Sequence, residues 1–210
     1  MINKPAIRAP LIVIEGPDCS GKTALSEALG RIGSPALVIH GHLNDDDPVH
    51  RPHNEKLMME YHAKILAVAM QNIAKGKAVI LDRHWLSHVA YGAATNALRA
   101  GALFTYRSQF EPYLNALNAF YVIAVDPLSI EMALTGHPLS RPKSRELLER
   151  ILSAYSFELQ VLMSRPSPRC LAYHFSSHGA TQEKRDDFAR LVLSLAIEPP
   201  PPILTTNGPN

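Results

Sequence analysis

Five short runs of apolar and β-branched residues punctuate the chain: Leu11 to Glu15, Ala36 to His40, Ala78 to Asp82, Phe120 to Val125 and Cys170 to Phe175. Between them lie longer stretches whose apolar residues recur at helical spacing. These predict helices near Lys22 to Gly30, Asn54 to Lys75, Trp85 to Ala97, Thr105 to Asn118, Leu128 to Leu134, Ser144 to Arg165 and Thr181 to Glu198. The second of these stops at Lys75 and Gly76, a cation followed by a glycine. Strands alternating with helices predict an α/β architecture: a five-stranded parallel sheet with helices on both faces. Right-handed crossovers place the C-terminal ends of the strands, and the loops after them, on one edge, where ligands bind. Gly41 to His53, Gly136 to Lys143 and the tail from Pro199 lack either period. The tail, PPPPILTTNGPN, reads as an extended or disordered extension. One domain over residues 1–198 followed by a tail over 199–210 is therefore expected.

Composition narrows the class without naming an activity. The chain has 210 residues, 46% of them hydrophobic and 19% charged, which suits a globular protein able to bury a core without staples. A formal charge of +2 neither demands nor excludes a polyanionic partner. Cys19 and Cys170 lie far apart and form no metal spacing, which fits a reducing, cytoplasmic setting. No apolar run reaches membrane-spanning length, and MINKPAIRAP lacks the apolar stretch of a signal peptide.

Candidate chemistry begins after the first strand, where GPDCSGKT satisfies the phosphate-loop pattern G-x-x-x-x-G-K-[ST]. Backbone N–H groups across Gly16, Pro17, Asp18, Cys19, Ser20, Gly21, Lys22 and Thr23, Pro17 excepted, form an anion nest, and the following helix adds its partial positive charge. Lys22 then reaches the β- and γ-phosphates of ATP, and the Thr23 hydroxyl takes one Mg²⁺ position. Strand, loop and helix fall in the order this motif requires.

Two further segments carry a family resemblance. DRHWLSHVAY, Asp82 to Tyr91, follows the third strand, and ERILSAY, Glu149 to Tyr155, comes later. With the phosphate loop, whose Glu15 and Asp18 match E-G-x-D-x-x-G-K-[ST], they resemble the motifs of thymidylate kinases and their deoxynucleotide kinase relatives. The resemblance implies the P-loop NTPase fold with a small cationic lid, about residues 135–146.

Physical reasoning and the resemblance assign roles together. Asp82 leaves its strand beside the phosphate loop, placed to hold Mg²⁺ through water; a helix N-cap is a compatible second role. Arg83 follows it, and a guanidinium clamps phosphate with two parallel bonds. The resemblance implies that it grips the acceptor monophosphate; a surface ion pair is the alternative. Ser87 and Tyr91, four apart, share one helix face. By resemblance that face lines the acceptor nucleoside, with Tyr91 crowding the sugar 2′ position; an ordinary packed aromatic is the alternative. Asp18 sits where a carboxylate beside a triphosphate is electrostatically costly, and the resemblance places it near the acceptor sugar and the transferred phosphoryl; a turn-forming Asp that caps a backbone N–H is the alternative. SRPKSRE supplies Arg141, Lys143 and Arg145, cations for a lid that closes over the phosphates. Arg141 and Arg145 are both candidates for the transition-state arginine; a solvated helix start is the alternative. Arg150 reads as a structural ion-pair partner.

The resemblance has gaps. The aromatic and arginine that thymidylate kinases use to read thymine fall on LMMEYHAKI, where Met58 and Met59 stand near one and Tyr61 or His62 near the other. HGHLNDDDPVHRPH replaces the expected loop after the second strand. Its His40, His42, His50 and His53 with Asp45, Asp46 and Asp47 match no closed metal spacing. A substrate-facing loop with Arg51 meeting phosphate and a solvated loop both remain open. The leading expectation is transfer of the γ-phosphoryl of ATP, with Mg²⁺, to a deoxynucleoside monophosphate, with Met58 and His62 near the base. The alternatives are a hydroxyl acceptor, either a deoxynucleoside or a modified base in DNA, and a non-transferring nucleotide switch. The resemblance also implies a homodimer.

Overall fold

The computed structural model describes residues 9–33, 36–41, 55–95, 101–135 and 144–198. Its five strands are β1 (Leu11–Glu15), β2 (Ala36–His40), β3 (Ala78–Asp82), β4 (Phe120–Ala124) and β5 (Cys170–Tyr173). All pair in parallel, in the order β2-β3-β1-β4-β5. Every residue of β1 and β4 is buried, whereas the edge strand β2 is only half-buried. That gradient explains why LIVIE and FYVIA are unbroken apolar runs apart from the terminal Glu15.

The described helices are α1 (Lys22–Ile32), α2 (Glu55–Ala74), α3 (Trp85–Ala94), α4 (Ala102–Ala116), α5 (Leu128–Leu134), α6 (Arg145–Met163) and α7 (Gln182–Ile197). Alternation along β1 divides the core. Leu11 and Val13 pack with Met58 and Leu66 of α2, Trp85 and Val89 of α3, Phe110 of α4 and Ile151 and Tyr155 of α6. Ile12 and Ile14 face the opposite layer, against Leu25 and Leu29 of α1 and Phe188 and Val192 of α7. Ser144 caps α6 by accepting the Leu147 N–H at 3.2 Å, and Thr181 caps α7 in the same way through Lys184.

The last strand is shorter than its sequence pattern. β5 stops at Tyr173, and Phe175–Gly179 forms one π-helical turn instead. The Asp126 carboxylate, at the end of β4, accepts the Ser176 N–H at 2.6 Å and pulls the backbone out of the strand path. No described helix is long and apolar enough to cross a membrane. Residues 42–54, Arg141, Lys143 and the tail lie outside the described residues.

Candidate active site

The phosphate loop leaves β1 at the centre of the sheet. Gly16, at φ 147°, runs so close to β4 that a Cβ there would lie 2.6 Å from Ala124 Cβ and 2.8 Å from its carbonyl oxygen. Gly21 starts α1 in the left-handed region, φ 77°, and no side chain caps the first turn. Those N–H groups are therefore open to an anion. Lys22 is buried to 5% exposure, its ammonium donating to the Pro17 carbonyl and to Ser20 Oγ at 3.1 Å. Burial, and next the neighbouring Arg83 charge, bring its pKa down to about 7.

Thr23 Oγ1 donates to Asp82 Oδ2 at 3.0 Å, and His40 Nδ1 lies 3.1 Å from the same oxygen. This is a hard-oxygen pair beside a phosphate nest, and it fits Mg²⁺, which takes one or two protein oxygens and fills its shell with phosphate and water. No cluster of three or more His, Cys, Asp or Glu suited to a metal occurs among the described residues.

Arg83 occupies the other side. Its guanidinium donates to Gly16 O at 2.9 Å, to Ser87 Oγ at 3.2 Å and to Asp18 Oδ1 at 2.6 Å. It also lies over the Tyr91 ring, 5.6 Å from the centroid. The Tyr91 hydroxyl in turn accepts the Asp18 N–H at 2.9 Å. One cavity of about 580 Å³ has Lys22, Thr23 and Asp82 together with Asp18 and Arg83 in its wall. Cys19, Met132 and Phe175 give the same cavity an apolar side.

The other candidates fall elsewhere. Ser87 and Tyr91 stand behind Arg83 and Asp18 rather than in the cavity wall. Met58 and His62 are core residues; the His62 ring meets those of His84 and Phe110 at 5.0 and 6.0 Å. Arg145 makes a two-pronged contact with Glu131, at 2.8 and 3.1 Å, with both side chains more than half exposed. Such a pair contributes little to stability. Met132 and Phe175 had no sequence signal as wall residues, since each sits in an ordinary apolar pattern.

Glu15 is fully buried beneath the loop, accepting the His84 N–H at 2.8 Å and the Ser87 hydroxyl. Burial raises its pKa from 4.5 to about 7, against the lowering effect of those bonds and of Arg83. Between these pH values the folded state holds a proton on Glu15 that the unfolded chain has lost, so the contribution of this group to stability falls as pH rises. The expected loss is roughly 3 kcal/mol across that window. Urea melts at pH 5 and pH 8 check it. Burial lowers the pKa of His84 and Lys22 and makes their contributions rise with pH, so the test is the difference between the two proteins. Glu15→Gln should gain stability relative to wild type as pH rises, and identical pH dependence in both proteins would refute it.

No protein-family model matches the chain, and no curated protein does. Among solved structures, it is similar to that of deoxyadenosine kinase from M. mycoides with bound dCTP, at a TM-score of 0.52. The alignment covers 87% of this chain and 98% of that one at 12% identity. The chain has the P-loop NTPase fold. Sheet order, phosphate loop and central β1 all follow that architecture, and at this identity the likeness carries the fold alone.

Proposed function

We propose that this chain is a kinase that moves the γ-phosphoryl of ATP onto a deoxynucleoside monophosphate. The observation supporting it is the shared cavity, in which a phosphate-loop lysine and an Asp18-paired arginine face one space. Lys22 and the open N–H groups of α1 hold the donor phosphates. Thr23 and Asp82 would hold Mg²⁺, which when bound neutralises charge on the β- and γ-oxygens. Arg83 orients the acceptor phosphate, whose oxygen forms the new bond to γ-phosphorus as the bond to the β–γ bridging oxygen breaks and ADP leaves. The residues act by positioning and by fixed charge. A lid cation from Arg141 or Arg145 completes the charge on closure.

A second reading has a deoxynucleoside hydroxyl as acceptor. Two observations favour it: a solved structure it is similar to is a deoxyadenosine kinase, and Arg83 already has three protein acceptors. A screen with γ-labelled ATP over the four dNMPs, the four deoxynucleosides and DNA containing hydroxymethyl pyrimidines separates the readings. Labelled nucleoside diphosphate is the expected product. Label in monophosphate alone moves the assignment to the second reading, label in DNA alone moves it to a polymer acceptor, and no labelled product from any of them removes the kinase.

A further inference from the structure

Tyr155 is fully buried on α6 and is not part of the cavity wall, yet its hydroxyl donates to Ser87 Oγ at 2.9 Å. A serine hydroxyl has one proton to give and two lone pairs to receive. With Glu15 ionised, the proton goes to its carboxylate, and the lone pairs receive Tyr155 O–H and an Arg83 N–H. Nothing is left over, so the Ser87 hydroxyl has one orientation. The second Glu15 oxygen takes the backbone N–H of His84, the residue after Arg83. Glu15 thus ties Arg83 twice, by its guanidinium through Ser87 and by its backbone through His84.

The Arg83 backbone needs that support. At φ 75° it sits in the left-handed region, unfavourable for a long side chain. Its N–H donates to Ile14 O at 2.9 Å, and Gly41 passes so close that any Cβ there would strike the Arg83 carbonyl oxygen. Together these contacts fix both ends of a residue that would otherwise relax away from Asp18.

We propose that Tyr155 and Glu15 are positioning residues for phosphoryl transfer, acting through Ser87 to hold the Arg83 guanidinium in the cavity wall beside Asp18. The proposal rests on the kinase reading of Arg83. Tyr155→Phe deletes one hydroxyl and keeps the packed ring. The expected result is an acceptor kcat/KM about tenfold lower with the ATP KM unchanged, the scale of one lost positioning bond. Ser87→Ala should do at least as much, and the double variant should be no worse than Ser87→Ala alone.

A second readout does not depend on turnover. The Arg83 guanidinium protons, identified in ¹⁵N-edited NMR spectra by their absence in Arg83→Lys, should shift and exchange faster with water in both single variants. Unchanged Arg83 signals in Tyr155→Phe overturn the proposal, as do ATP and acceptor constants that worsen together. If the wild-type protein phosphorylates no acceptor, the kinase reading fails by itself, and the Arg83 signals still decide whether Tyr155 holds the guanidinium.

Discussion

Lys22→Met is expected to lower the proposed phosphoryl transfer about a thousandfold or more and to leave a protein at least as stable as the original. The two halves of this result have one cause. Lys22 is buried where burial and the Arg83 charge bring its ammonium to a pKa of about 7. In the absence of phosphate that charge is poorly compensated, and removing a strained buried charge in favour of an apolar chain of similar length is neutral to stabilising. With a triphosphate in the nest, the same charge is what the β- and γ-oxygens require. Transfer assays and thermal melts on one preparation check both halves. Activity within tenfold of wild type would remove Lys22 from the donor site, and a melting temperature several degrees lower would mean its bonds to Pro17 and Ser20 outweigh its desolvation.

Arg83→Ala separates acceptor from donor. The expected loss in acceptor kcat/KM is two to three orders of magnitude, about 3–4 kcal/mol, with ATP binding within about twofold. Donor binding should survive because the Lys22 ammonium bonds Pro17 and Ser20 rather than Arg83, and losing the neighbouring positive charge only favours its charged form. Asp18, about a quarter exposed, can take water when its partner is gone. Arg83→Lys should recover little, since an ammonium on a flexible stem does not reproduce bonds to Gly16, Ser87 and Asp18 at once. Steady-state kinetics with each substrate varied, plus nucleotide titration, measure this. Equal losses for ATP and acceptor would place Arg83 on the donor phosphates.

The strands and most helices were legible because each apolar run is bounded by breakers and each helical stretch keeps one period. Leu11–Glu15, Ala36–His40, Ala78–Asp82 and Leu128–Leu134 match their expected spans. Phe175 was not legible as a turn residue: what ends β5 is the Asp126 carboxylate, 50 residues before its partner Ser176 in sequence, and no local pattern encodes it. The placement of GPDCSGKT between β1 and α1 could be read from sequence, since the motif lies in eight consecutive residues. The support around Arg83 could not. Spacing puts Ser87 and Tyr91 on one helix face, but their partners Glu15, Tyr155 and Asp18 arrive from β1, α6 and the loop. Met58 and His62 show the converse, since a helical stripe looks alike whether it faces a ligand or, as here, Phe110 and His84. Arg141 and Lys143 lie outside the described residues.

The place of β1 sets a timetable for synthesis. Its hydrogen-bonded partners are β3 and β4, and Gly16 rests against Ala124 at the end of β4. GPDCSGKT, made before the other motifs described, is therefore among the last to take shape: part of its wall comes from Asp82 and Arg83, and the wall is incomplete until Met132 and Phe175 have left the ribosome. Pairing over such long separations is slow. Nucleotide binding by ribosome-bound chains of increasing length should thus appear as a late step rather than a gradual rise, and the apolar β1 stays a target for chaperones throughout that interval.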